Sequence, residues 1–243
     1  MLNLTKRSNA LKLGATSSER EGEKAQGMKK PAAKGTIRSS NESLILEAAE
    51  AVFAERGYSG ATTAMIAAKA GMPKPNLHYY FPTKAGLYRA VISRVLNVWL
   101  AAANSFDDAQ DPAEALARYI GAKMDLARAM PLGSQVYASE IMHGAPVVQD
   151  YLETTLKDWV VAREATVREW IAAGKIRPLA PRVLFYMIWS TTQHYANAAH
   201  EIRILEDGVA MDDESFAKAK QQVIDTILGG VMAPRRRIGA GAR

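Results

Sequence analysis

Proline and glycine cut this chain into helix-length pieces, and that punctuation constrains the fold more than any other feature. Pro75, Pro112, Pro131, Pro146 and Pro181 each open a stretch with apolar residues three and four apart. A proline in the first turn of a helix loses no hydrogen bond, because the N–H there has no partner. Gly57, Gly71 and Gly174 close such stretches, as glycine does where a helix ends in a left-handed turn. Leu44, Ala48, Ala49, Val52 and Phe53 form one stripe ending at Gly57, and a short helix AMIAAKA, capped by Thr62 or Thr63, ends at Gly71. A second short helix starts around Pro75 and is limited by Pro82; Thr83 then caps a long one reaching about Asn104. Further helices are expected over 111–129, 131–143, 146–173, 181–204 and 213–231, the last carrying Phe216, Val223, Ile227 and Val231 on one face. No alternating run of β-branched residues appears. The expected fold class is all-α, with a small three-helix head over residues 40–84 and a larger helical body over 85–232.

Charge falls at the ends. The chain of 243 residues holds 31 Lys and Arg against 25 Asp and Glu, a net charge of +6. Residues 1–40 alone carry nine basic side chains against three acidic ones, and Arg235, Arg236, Arg237 and Arg243 crowd the other end. The segments 1–39 and 233–243 are therefore expected to be a disordered basic arm and tail, either serving a polyanionic partner or solubilising the chain. No cysteine is present, which excludes disulfides, thiolate metal sites and cysteine nucleophiles. The start lacks the apolar core of a secretory signal, and the most apolar run, 183–189, is far shorter than the roughly 20 residues of a membrane-crossing helix. A cytoplasmic, nucleoid-associated protein with no membrane partner is expected. His143, His194 and His200 lack the spacing of a helical zinc site, so no metal or cofactor is expected. Phosphate-loop, nucleophile-elbow and H-E-x-x-H motifs are also missing, which argues against an enzyme.

The stretch GMPKPNLHYYFPTKAGL, residues 71–87, concentrates the chain's polar and aromatic signals. Two short helices joined through a glycine turn fit a helix-turn-helix, whose second helix enters the major groove of double-stranded DNA. Leu77 and Phe81 would point inward, leaving Lys74, Asn76 and His78 outward. Lysine can donate to guanine, and asparagine can pair bidentately with adenine. Tyr79 and Tyr80 offer hydroxyls to phosphates, and Lys84 stands where an ammonium and helix N–H groups could grip one. On spacing alone, Tyr80 and Phe81 serve equally well as core residues of a small bundle.

Residues 42–87 resemble the DNA-binding segment of the TetR family of transcriptional regulators, in Phe53, Gly57, Tyr58, Ile66, Ala67, Ala70, Gly71, Leu77, Tyr80, Phe81 and Lys84. The resemblance implies that Thr63, Lys74, Pro75, Asn76 and His78 face the groove and that Tyr79, Tyr80 and Lys84 face the backbone. Pro73 stands where the family usually has a serine cap, Ala61 replaces a frequent threonine, Gly86 an acidic residue and His78 a tyrosine. The segments RVLNVWLA (94–101), SEIMHGAP (139–146) and FYMIWSTTQHYA (185–196) are similar to the pyrimidine-utilisation branch of that family. This likeness implies a small-molecule effector, uracil or thymine, held by Leu96, Trp99, Glu140, Trp189 and Gln193. It also implies a homodimer through the last two helices, reading a palindromic operator, most often as a repressor. A purine or another flat or hydrophobic effector stays open, as do the bland readings in which Trp99 and Trp189 are core and Gln193 a satisfied buried amide. An enzyme or a protein-binding helical adaptor is the rival from another class.

Overall fold

The computed structural model describes residues 34–102 and 111–234. The basic arm up to residue 33, the expected helix end at Asn104 and the basic tail from Arg235 lie outside the described residues. Within them the chain is helical throughout, and the single strand-like contact is an isolated bridge between Ile176 and Met232.

α1 (Lys34–Gly60) begins earlier than the sequence predicts and breaks at Gly57, whose φ of 66° and ψ of 175° no helix accommodates. Its inward stripe is Ile45, Ala48, Ala49, Val52 and Phe53, while Leu44 is 48% exposed. Leu44 and Ile45 both fit the apolar spacing, and only packing chooses between them. α2 (Thr63–Lys69) is capped by Thr62, whose Oγ1 accepts from Met65 N at 3.2 Å. After Gly71, at φ +66°, α3 (Lys74–Tyr80) starts from an extended Pro73 that offers no side-chain cap. Thr83 Oγ1 accepts from Gly86 N at 3.0 Å and so opens α4 (Lys84–Ala102).

α4 joins head to body. Leu87, Tyr88, Val91 and Ile92 pack into the same core as α1 to α3, and Val95, Leu96 and Trp99 continue that core into the body. Beside them runs α6 (Pro131–Met142), which touches both α1 and α4. At this junction Arg94 donates to Glu50, a nearly buried carboxylate on α1, and the backbone of Gly133 comes so close that no side chain fits between it and Val95.

The second core gathers α5 (Pro112–Ala129), α8 (Lys157–Ala172), α9 (Pro181–Asn197) and α11 (Asp213–Val231) around Leu116, Ile120, Phe185, Ile188 and Ile227. Asp111 and Asp212 cap α5 and α11 by accepting from Ala113 N and Ser215 N. Two expected long helices are interrupted. The segment expected from Pro146 starts only at α7 (Gln149–Tyr151) and passes through a π-helical turn, Leu152–Leu156, before α8. The segment expected to run to Ile204 stops at Ala198, and α10 (Ala199–Leu205) restarts from there.

Candidate functional site

Two places in the fold gather chemistry, one at each end of α4. At the head, α3 buries Leu77 and turns Lys74, Pro75 and Asn76 to solvent, with Thr63 of α2 partly exposed beside them. Tyr79 is 71% exposed; its ring stands edge-on to Tyr80 and lies 5.9 Å from the Arg38 guanidinium of α1. Arg38 thus joins the face, a residue the sequence reading leaves in the basic arm. Arg38 pairs with Glu42 at 3.2 Å, but α2 and α3 carry no acid of their own, and a polar surface with a short helix at its centre can contact phosphates and base edges.

Three expected contacts are already engaged within the protein. His78 is partly buried, with Nδ1 3.3 Å from the carbonyl of Pro82, a contact that only the Nδ1-protonated ring can make. The Tyr80 hydroxyl accepts from Asn41 Nδ2 at 3.0 Å. Lys84 turns inward, donating to the carbonyls of Tyr58 at 2.8 Å and Ala61 at 3.1 Å while its ammonium sits 4.5 Å above the Tyr58 ring. Two of its three N–H bonds tie α4 to the end of α1, so Lys84 has first a structural task. Replacing it with methionine should lower stability by about 2 kcal/mol, or roughly 4–8 °C in melting temperature, since hydrogen bonds from a charged donor are lost and two carbonyls are left bare. A variant that melts like the parent and only weakens on DNA would return Lys84 to a purely phosphate-binding role.

At the other end of α4 a cavity of about 90 Å³ opens between the helices. Leu96, Trp99 and Leu100 line it from α4, Tyr119 and Lys123 from α5, and Tyr137 from α6. Leu156 of the π-helical turn, Trp159 of α8, and Trp189 and Gln193 of α9 complete the wall. Trp99 meets Tyr137 edge-on at 5.0 Å, and Trp189 Nε1 donates to the Tyr119 hydroxyl at 2.6 Å. The walls are apolar and aromatic, and the polar groups are few, as in sites that hold small flat molecules. Gln193 Nε2 and Trp159 Nε1 are buried donors without a hydrogen-bond partner among the described residues. Such orphans are uncommon in folded proteins, and both of these residues line the cavity.

Four of the five residues the sequence pointed to, Leu96, Trp99, Trp189 and Gln193, therefore share one cavity. Glu140 is the exception. Its carboxylate, 3% exposed, accepts from Val147 N at 2.6 Å and Val148 N at 3.3 Å, holding the turn after α6 where Gly144 and Ala145 take positive φ. It is spent on backbone donors and is absent from the cavity wall. Lys123 was missed. It lies 5% exposed on the inner face of α5 with its ammonium 3.9 Å from the centroid of Trp99, and burial pushes its pKa down to about 7. Its place in the i, i+3, i+4 series with Tyr119, Ile120 and Ala127 is the signal that could have found it.

Residues 45–91 match the family model "Bacterial regulatory proteins, tetR family", and residues 92–234 match "YcdC-like protein, C-terminal region". This chain belongs to the TetR family. The HTH-type transcriptional regulator RutR of Escherichia coli K12 is 34% identical over 193 residues, covering 79% of this chain and 91% of that one. The HTH-type transcriptional activator FasR of Mycolicibacterium smegmatis is 38% identical over 80 residues, 33% of this chain and 36% of its own. Among solved structures, the ketosteroid transcriptional regulator KstR2 of Mycobacterium tuberculosis superposes with a TM-score of 0.66 at 22% identity, covering 79% of this chain and 95% of that chain. As a TetR-family member the chain is a DNA-binding transcriptional regulator, and its fold is the family's, a helix-turn-helix head on a helical body. No described helix is long and apolar enough to cross a membrane.

Proposed function

We propose that this regulator is a repressor released from a palindromic operator when a pyrimidine nucleobase, uracil or thymine, enters the α4–α9 cavity. The observation that carries the reading is the cavity itself: a small aromatic box with two orphan donor nitrogens, walled by the helix that also forms the edge of the DNA-reading head. A flat ring can lie against Trp99 and Trp189, and the Gln193 amide can answer an edge that alternates donors and acceptors. Lys74 and Asn76 take the base-reading roles, with Thr63, Pro75, His78 and Tyr79 around them.

The reading includes a homodimer. α9 leaves Val183, Tyr186 and Met187 about half exposed, and between it and α11 an open groove runs past Val223 and Thr226. A second copy related by a two-fold axis would cover this face as a four-helix bundle and set two recognition helices about one DNA turn apart, or a multiple of it.

The test is a titration of uracil, and separately thymine, against the protein bound to a fluorescent operator obtained by selection from random duplexes. Operator affinity should fall about 5- to 150-fold at saturation, the range of typical allosteric couplings. By linkage, DNA-bound protein should bind uracil more weakly by the same factor. An operator affinity unmoved by either base at millimolar concentration sinks the effector assignment while leaving the regulator in place.

A further inference from the structure

We propose that Lys123 anchors the effector as an ammonium donating to ring carbonyls, so that this cavity selects a ring edge built of C=O and N–H groups and rejects one that presents an exocyclic amine. The inference rests on the nucleobase reading above and names the edge that the site recognises.

The first support is geometric. Lys123 projects from the inner face of α5 directly over Trp99, deep in the wall, and pairs with no carboxylate among the described residues. A buried ammonium without a counter-ion destabilises a fold, and an aromatic face compensates only part of that penalty. A chain that merely needed to fill this position would do better with methionine or leucine. Keeping a cation there makes sense where a ligand completes its hydrogen bonds, the usual trade of stability for function.

The second support is the inventory of the wall. Trp159 Nε1 and Gln193 Nε2 are donors awaiting acceptors, and the ammonium brings further N–H groups. No acidic side chain faces the cavity from α4, α5, α6, the π-helical turn, α8 or α9. Tyr119 and Tyr137 are the other titratable groups, and burial pushes both phenols up, Tyr137 to about 12, so they stay neutral where Lys123 titrates. A wall so rich in donors is complementary to carbonyl oxygens. The amide oxygen of Gln193 can take a ring N–H, but an exocyclic amine set against the ammonium or the Trp159 N–H would place N–H against N–H.

Burial pulls the ammonium's pKa down to about 7, so Lys123 can change its charge near neutral pH. A carbonyl ligand favours the charged form, so binding draws in protons; a ligand that donated to a neutral amine would instead release them.

The experiment compares the wild type with Lys123→Met by thermal shift and by calorimetry at pH 7.5 in two buffers of different ionisation enthalpy. The probes are uracil, thymine, hydantoin, cytosine and adenine. Without ligand, Lys123→Met should melt higher than the wild type; a lower melting temperature makes Lys123 a structural residue and overturns the proposal. The dicarbonyl rings should stabilise the wild type, with proton uptake, and lose roughly 10- to 100-fold in affinity in the variant, as for a charge-assisted hydrogen bond. Equal affinities in the two proteins, proton release, or cytosine binding as tightly as uracil overturns it as well. Should hydantoin bind with dependence on Lys123 while uracil and thymine do not, the edge assignment stands and the nucleobase reading falls. A wild type stabilised by none of the five ends both.

Discussion

Replacing Gly133 by valine should destabilise this protein by about 3–5 kcal/mol, a fall of roughly 10 °C in melting temperature. A Cβ at this position would stand 2.6 Å from Val95 Cγ2 and 3.2 Å from Glu50 Oε1. Neither neighbour has room to retreat. Val95 is wholly buried in the first core, and Glu50 is held by Arg94. Overpacking of this kind costs about 1–3 kcal/mol, and pushing the carboxylate off its guanidinium strands a buried charge, at about 3–5 kcal/mol. One movement of α6 relieves both strains, so the two do not simply add. Chemical denaturation is the measurement. A valine variant as stable as the parent would show that α6 does not approach α4 this closely.

The second large effect is at the DNA-reading helix. α3 has seven residues and buries one of them, Leu77. Helices shorter than about 12–15 residues are marginal by themselves in water, so α3 keeps its shape through the packing of Leu77, helped by the partly buried Tyr80 and Phe81. Leu77→Ala removes about 2–5 kcal/mol of that packing. The loss falls first on the small unit that holds α3, so operator affinity should drop on the order of 100-fold as the recognition surface spends its time disordered. Fluorescence anisotropy with operator DNA, read beside amide exchange over residues 74–80, tests it. Faster exchange with full affinity would mean that DNA is read from another surface.

What could be read from sequence follows the range of the interactions concerned. Several caps and helix starts were legible because they are settled within four residues: Asp111 with Pro112, Thr83 with Gly86, and Gly71 before Pro73 each carry their own instruction, whereas the starts of α1 and α7 did not. The interruptions were not. Nothing in LETTL announces a π-helical turn, and the apolar pattern runs through Ala198 although the helix stops there. The same limit applies to the sites. Trp99, Trp189 and Gln193 were legible as types suited to a flat ligand, and the fold brings them to one cavity. Whether a charged side chain meets backbone or empty space depends on residues far along the chain. Glu140 finds two N–H groups of the turn after α6, Lys84 finds carbonyls more than twenty positions earlier, and Lys123 meets a tryptophan on another helix. Such pairings exist only once the helices are stacked.

The close approach at Gly133 and the neighbouring Glu50–Arg94 pair also fix where α4 is clamped. At a rise of about 1.5 Å per residue, Arg94 lies about 15 Å along the helix from Lys84 and about 7.5 Å from Trp99. A rod held there behaves as a lever of unequal arms with its fulcrum nearer the cavity. A sideways push of half an ångström at Trp99 would arrive at the DNA end as about one ångström, in the opposite direction.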